Sequence, residues 1–306
     1  MTLDRSTAES AFREHERHLF SVAYRLLGSV ADAEDVVQET FARLLEKPPP
    51  RLDEPLRPWL VAVAVNCGRD VLRRRRRAPY TGPWLPSPLE TEALADEREA
   101  PEARYGRLES AGVAFLRALE RLTPKARAVL VLRDAFGYSV EETARVLVIS
   151  AADVKTTLHR ARRALVDHEK ARRAPTDDAR RMAQEALERF LTALAAEDAS
   201  AVEACLADSV RAASDAAGEF HAALNVIAGR KRVARFFLGL VRKTGSPARF
   251  AVRMLNGLPA LVAEHDDIRA GFARRYVLRV EVAPSGLVER IEIMIASRKL
   301  VGVRGP

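Results

Sequence analysis

The first third of the chain is patterned at helical spacing. Phe12, Leu19, Val22, Ala23 and Leu26 recur on one stripe, which predicts a helix with one buried face. Gly28-Ser29 ends it, and Ser29 with Asp32 caps a second helix whose Val36, Val37, Thr40, Phe41 and Leu44 point inward. The outer face of that helix is acidic, because Asp32, Asp35 and Glu39 fall three and four residues apart. Pro48-Pro49-Pro50 opens a loop that runs to Arg57-Pro58. A third helix starts at Trp59, is apolar to Val65, passes Asn66 and Arg69, and finishes in consecutive arginines from Arg73 to Arg77. Together these predict a helical domain over residues 8–77.

Residues 78–105 read as a linker, punctuated by Pro79, Pro83, Pro86, Pro88 and Pro101. Within it, Tyr80 to Pro86 forms an apolar island around Trp84. A flexible tether has no use for a tryptophan, so this stretch is expected to dock onto something. Residues 106–170 return to helices. Thr123-Pro124 opens one, Ser139 with Glu142 forms a capping box for the next, and Ser150 with Asp153 opens the last in a weaker version of the same box. That last helix carries Ala152, Asp153, Lys155, Thr156, His159, Arg160, Arg162 and Arg163. Two short helices around a tight turn, the second basic and polar, are what insertion into a major groove requires.

Beyond Ala174-Pro175-Thr176 the pattern changes. Helices are expected over 179–196 and 199–207, a strand near 209–214, a helix over 231–243, and strands over 249–255, 271–282 and 288–295. Pro284-Ser285-Gly286 is a hairpin turn. The predicted whole is an α+β domain over 178–306 with an antiparallel sheet.

Composition narrows the partners. Apolar content of 48% in 306 residues supports real cores and excludes a largely disordered chain. A net charge of +8 suits a polyanion, and the arginines are clustered rather than scattered. The two cysteines, Cys67 and Cys205, lie far apart, which excludes a disulfide framework and fits a reducing compartment. The N-terminus lacks an apolar signal region, and the longest apolar run, near Leu60–Val65, is too short to span a bilayer, so a cytoplasmic location is expected. His15 and His18 could share a helix face but have no further ligands nearby, so neither metal nor cofactor is expected. Asp215, His221, Glu264, His265 and Asp266 are the acid–base candidates of the last domain. Neighbours on a strand point to opposite faces, so Glu264-His265-Asp266 cannot all line one cavity, and no enzyme is expected.

These segments resemble the extracytoplasmic-function sigma factors of bacterial RNA polymerase. Leu26 through Phe41 is similar to the core-binding segment of region 2, Pro58 through Asn66 and Arg73 to the helix that reads the −10 element, and Leu119–Leu165 to region 4, which reads the −35 element. Gly82-Pro83-Trp84-Leu85-Pro86, Ser214 to Glu219, Asn256 to Pro259 and Ala296 to Leu300 resemble motifs of the subgroup with a C-terminal SnoaL-like (NTF2-like) domain. The resemblance implies a multidomain protein: two all-α sigma domains and an α+β NTF2-like domain. It implies that Asp32, Asp35, Gln38 and Glu39 face the clamp helices of the β′ subunit, and that Asn66, Arg69, Arg73 and Arg74 meet −10 DNA. It further implies that Ala152, Asp153, Lys155, Thr156, His159, Arg160 and Arg163 meet −35 DNA. Trp84, Asp215, Lys299 and Leu300 would carry interdomain regulation, in place of a separate anti-sigma protein. The β flap of the polymerase is a further implied contact, and no membrane is. A polymerase-independent helix-turn-helix regulator, or a DNA-binding protein with an enzymatic C-terminal domain, are the alternatives.

Three departures stand out. The subgroup commonly has Asp-Gly-Gly-Gly-Lys where this chain has Asp215-Ala216-Ala217-Gly218-Glu219. It commonly ends in Asn-Pro-Asp-Lys-Leu, of which Lys299 and Leu300 survive. Val148 stands at a turn position where glycine is common.

Overall fold

A computed structural model describes residues 5–51, 53–94, 110–166 and 176–306. The expected linker beyond Leu94, Pro101 included, and both ends of the expected 106–170 domain lie outside the described residues. The chain divides into two compact units. One comprises Met1–Pro79 with Leu94–Ala174, the other Tyr80–Ala93 with Pro175–Pro306.

The first unit is helical. Helices α1 (Arg5–Leu27), α2 (Val30–Glu46) and α3 (Leu56–Arg77) pack on the predicted stripes, with Leu19, Val22, Leu26, Val36, Leu44, Leu60 and Val61 buried. The Ser29 side chain accepts from the Asp32 N–H and so caps α2, as the sequence predicts. Helix α3 begins at Leu56 rather than Trp59, because Pro58 falls in the first turn, where a missing N–H leaves no bond unmade. At Gly68 a Cβ would lie 2.6 Å from Leu26 Cδ2, so a larger residue there would force the buried Leu26 side chain to shift.

Helices α4 (Val113–Leu119), α5 (Pro124–Leu130), α6 (Val140–Leu147) and α7 (Ala151–Ala164) follow, with a π-helical turn, Val131–Ala135, continuing α5. Thr123, Ser139 and Ser150 cap α5, α6 and α7, and the Ser139/Glu142 capping box is complete. The α6–α7 turn passes through Val148 at φ 54°, ψ 53°, the left-handed region that a β-branched residue seldom occupies.

The second unit is α+β. Helices α8 (Asp177–Ala195), α9 (Ala199–Ala204) and α10 (Arg230–Thr244) cover one face of a six-stranded sheet of order β2-β1-β6-β5-β4-β3. Its strands are β1 (Leu206–Asp215), β2 (Ile227–Ala228), β3 (Arg249–Leu255), β4 (Leu258–Glu264), β5 (Arg275–Val282) and β6 (Val288–Met294). The helix-side core joins Leu187, Phe190, Val233 and Phe237 to Leu261, Leu278 and Ile293. On the opposite face Ala213, Val262, Val277 and Met294 pack against Leu85, Leu300 and Val303.

Three expectations need correction. The sheet is mixed rather than antiparallel, because β1 pairs parallel with β6. Strand β4 was not anticipated, because Leu258 to Ala263 is a short run without polar alternation; it pairs with β3 as a hairpin through Asn256-Gly257. Finally, β5 begins at Arg275, since the chain before it turns through Gly271 at φ 85°.

Candidate nucleic-acid interface

Helix α7 buries Val154, Leu158 and Ala161 and leaves Ala152, Lys155, Thr156, His159, Arg160 and Arg163 exposed. The amphipathic pattern thus places the expected base- and phosphate-facing groups together on one open surface. Asp153 is the exception. Its two carboxylate oxygens each lie 2.9 Å from Lys125 Nζ, and Oδ1 also accepts from Thr157 Oγ1 at 3.1 Å. The Lys125 bond holds this carboxyl below its ordinary range. Asp153 therefore also ties α7 to α5. Arg162 is also engaged, by Asp134 at 2.6 Å.

Along α3, Asn66 and Arg69 are half-buried and joined, Arg69 Nη1 donating to Asn66 Oδ1 at 3.0 Å. Burial lowers the Arg69 guanidinium from its usual pKa. Arg73 is exposed and paired with Asp70 at 2.6 Å, while Arg74 and Arg77 are exposed. The arginine run is not a uniform basic tail. Successive helical residues turn by about 100°, so the run winds round the helix and divides. Arg75 donates to the Leu27 carbonyl at 3.0 Å and to Glu120 at 2.7 Å, and Arg76 donates to the Leu122 carbonyl. On α2, Asp35, Gln38 and Glu39 are exposed, Asp32 is half-buried, and Glu39 pairs with Arg43 at 2.8 Å.

Glu120 is the centre of a joint that sequence reasoning missed. Besides Arg75 it accepts from Arg127, a buried side chain whose pKa burial lowers to about 10. Arg25, fully buried, donates to Ser110 Oγ at 2.8 Å and lies 5.5 Å from the centre of the Phe136 ring, which His18 also meets edge-on. These contacts bind α1 and α3 to the segments around α4 and α5. No local pattern announces them, because each pair is separated by 45 residues or more except Glu120–Arg127.

In the second unit, Asp215 is buried at the end of β1 and gathers the chain around Trp84. It accepts from the Tyr80 hydroxyl, from the Leu85 N–H at 2.7 Å and from the Ala217 N–H at 3.2 Å. Lys299 Nζ lies 3.3 Å from the same carboxylate and 4.0 Å from the centre of the Trp84 ring, and donates to the Leu85 carbonyl. Leu300 is buried beside Leu85. All four residues expected to carry regulation are thus brought together. Two of the departures also meet here, since Glu219 accepts from the Ser297 N–H at 3.0 Å, a bond that lysine could not make. Ala217 sits at φ 48°, a conformation that glycine adopts without cost.

The acid–base candidates separate as alternation requires. His265 is buried against the helix side, Glu264 faces away to Arg275 at 3.3 Å, Asp266 is exposed beside Arg249, and His221 is exposed. Among the described residues, no group of three or more His, Cys, Asp or Glu is placed to hold a metal ion, and no helix is long and apolar enough to cross a membrane.

Comparison with known proteins agrees with this geometry. Residues 11–78 match the family described as Sigma-70 region 2, and residues 112–165 that described as Sigma-70, region 4. The chain is 38% identical over 248 residues to the ECF RNA polymerase sigma factor SigJ of Mycobacterium tuberculosis, covering 80% of this chain and 77% of that relative. It is 34% identical over 203 residues to SigG of the same species, covering 60% and 55%. The crystal structure of the M. tuberculosis extracytoplasmic function sigma factor SigJ superposes with a TM-score of 0.71 at 31% identity, over 97% of this chain and 99% of that one. With its two sigma regions followed by an NTF2-like α+β unit, the chain belongs to the extracytoplasmic-function sigma factors of RNA polymerase.

Proposed function

We propose that this sigma factor directs transcription initiation by holding core RNA polymerase with the exposed acidic face of α2 and reading promoter DNA with α3 and α7, and that it does so from the cytoplasm. The observation that carries the reading is the pairing of an exposed basic α7 with an exposed acidic α2 in one chain. A DNA-binding regulator that worked alone would need only the first. Asp32, Asp35, Gln38 and Glu39 meet the basic clamp helices of β′, where charge complementarity speeds encounter and sets register. The β flap is the second anchor on the polymerase. Asn66, Arg69, Arg73 and Arg74 hold the −10 strand, and a flipped base there costs a few kcal/mol of unstacking that their contacts offset. Lys155 and Thr156, with Ala152, reach base edges of the −35 element, and His159, Arg160 and Arg163 meet phosphates.

The packing of the first unit bears on how this happens. The −35 and −10 elements are about 25 base pairs, or roughly 85 Å, apart at 3.4 Å per pair. A compact body of about 160 residues is only about 40 Å across. Both elements cannot be read while the Glu120 joint is closed, so the joint opens when polymerase separates the two readers. The second unit modulates this step through its grip on Tyr80–Ala93, the segment that leaves α3, with Trp84, Asp215, Lys299 and Leu300 as the grip.

Promoter-dependent run-off transcription with core polymerase tests the reading. The full chain is expected to support initiation, and the double reversal Asp35→Arg, Glu39→Arg to abolish both initiation and co-elution with polymerase. Unaltered transcription by that variant contradicts the α2 assignment, and DNA binding without any polymerase-dependent transcript contradicts the whole.

A further inference from the structure

Helix α10 carries a charge pattern that the reading above leaves unused. Its 15 residues include Arg230, Lys231, Arg232, Arg235, Arg242 and Lys243, and neither Asp nor Glu. At about 100° per residue, Val233, Ala234, Phe237 and Leu238 fall on one side, and all four are buried in the helix-side core. The opposite arc, about 120° wide, holds Lys231, Arg232, Arg235, Gly239, Arg242 and Lys243. Every residue of this outer face is therefore a cation, with the exception of one glycine.

The cations of this face are exposed, and the fold neutralises few of them. Arg242 pairs with Glu197 at 2.8 Å. Lys231, Arg232, Arg235 and Lys243 form no ion pair with a described residue. Like charges four residues apart, such as Lys231 and Arg235, destabilise a helix, and cations in the first turn oppose its dipole. Gly239 weakens the helix further, although a Cβ there would meet nothing within 4 Å. None of this serves the packing of the second unit. An anionic partner would offset the repulsion, and the bare backbone at Gly239 lets it lie close between the flanking arginines.

We propose that the outer face of α10 binds the phosphate backbone of duplex DNA without regard to sequence, in addition to the contacts assigned to α3 and α7. The proposal rests on the reading above only in taking DNA as the polyanion. From Lys231 to Lys243 the face extends about 18 Å at 1.5 Å per residue, which matches about five base pairs and their ten phosphates. Arginine in particular suits phosphate, which its planar guanidinium can meet with two parallel bonds. A protein partner needs an aromatic or aliphatic anchor at the centre of the surface, and this face has none. A membrane needs an apolar face to insert, and that of α10 is buried in the core.

Fluorescence anisotropy of the full chain with a labelled duplex that lacks −10 and −35 sequences tests the proposal, and needs no polymerase. The combined variant Lys231→Gln, Arg232→Gln, Arg235→Gln, Lys243→Gln is expected to reduce the slope of log affinity against log salt by about 3, at about 0.9 per phosphate no longer neutralised. Between about 50 and 200 mM salt the native chain should therefore lose on the order of a hundredfold more affinity than the variant. Arg181→Gln, Arg211→Gln, Arg269→Gln, Arg304→Gln removes the same net charge from exposed positions elsewhere on the second unit, and should change the slope by less than about 1. Should the α10 variant lose its native circular dichroism spectrum, Lys231→Gln with Arg235→Gln serves instead, with about half the change in slope. An unchanged slope, or an equal change in the scattered variant, overturns the proposal. So does an α10 variant that keeps its DNA binding but loses binding to phosphatidylglycerol–phosphatidylcholine vesicles or to core polymerase. The reading above fails separately: a native chain that shows the slope difference yet supports no promoter-dependent transcript contradicts that reading and leaves the α10 contact standing.

Discussion

Each unit is organised around an ion pair with a buried cation, and the two pairs are built differently. In the first unit Glu120 joins Arg75 and Arg127 by side chains alone, and its own carboxylate remains about a third exposed. In the second, Asp215 is fully buried and is held by two backbone N–H groups, a phenol and Lys299. Backbone donors are fixed by the strand and the segment they belong to, whereas arginine side chains can swing back to water. The Glu120 joint is therefore suited to opening and the Asp215 grip to persisting. The distinction matters for the function proposed above, in which the readers part while the second unit keeps hold of Tyr80–Ala93.

Removing the centre of each pair sharpens this contrast, and the larger effect belongs to the second unit. Asp215→Ala leaves Lys299 buried without a counter-ion and is expected to cost the second unit about 3–5 kcal/mol, measurable by chemical denaturation. The same variant should expose Tyr80–Ala93 to limited proteolysis. Glu120→Ala is expected to cost less, about 2–3 kcal/mol after allowing for its exposure. Adding Arg127→Met should recover most of that loss, because the buried guanidinium goes with its partner. Equal costs at the two sites, or no recovery, would erase the proposed difference.

Smaller effects concern backbone and protonation. Val148→Gly relieves a left-handed valine and is expected to stabilise the first unit by about 1 kcal/mol, seen as a raised unfolding midpoint. It leaves the second unit unchanged. His265 has its pKa lowered by burial, so below its usual 6.5 the unfolded chain binds a proton that the folded chain does not. Its contribution to stability is complete above 6.5 and falls as the pH drops through and below that value, by at most about 1.4 kcal/mol per pH unit. His265→Gln should flatten that part of the pH profile for the second unit, as followed by urea melts.

How far the sequence foretells this molecule differs between the units for a physical reason. In the first, caps and stripes are local: Ser29, Thr123, Ser139 and Ser150 each bind an N–H three residues on, and all were legible. In the second, the parallel β1–β6 pairing depends on a distant partner and leaves no local signature, whereas the β3–β4 hairpin is local and its Asn256-Gly257 turn was passed over. Site residues follow the same rule. The exposed faces of α2 and α7 could be read from periodicity. The joint at Glu120, the orientation of Asp153 toward Lys125 and the convergence of Tyr80 on Asp215 could not, because each is decided by what a remote segment presents. The two altered motifs of the second unit gain a meaning only in three dimensions, where Glu219 and Ser297 are hydrogen-bonded.

The separation of the two DNA readers can be measured as a distance. Spin labels at Ala78→Cys and Ala164→Cys, in a chain with Cys67 and Cys205 replaced by serine, report the span between the ends of α3 and α7. For the isolated protein the span is expected to stay below about 40 Å, the width of a compact body of this size. With core polymerase and promoter DNA it should lengthen to roughly 85 Å, the spacing of the two elements. A span that remains short in a complex that is actively initiating transcription would contradict the opening of the Glu120 joint.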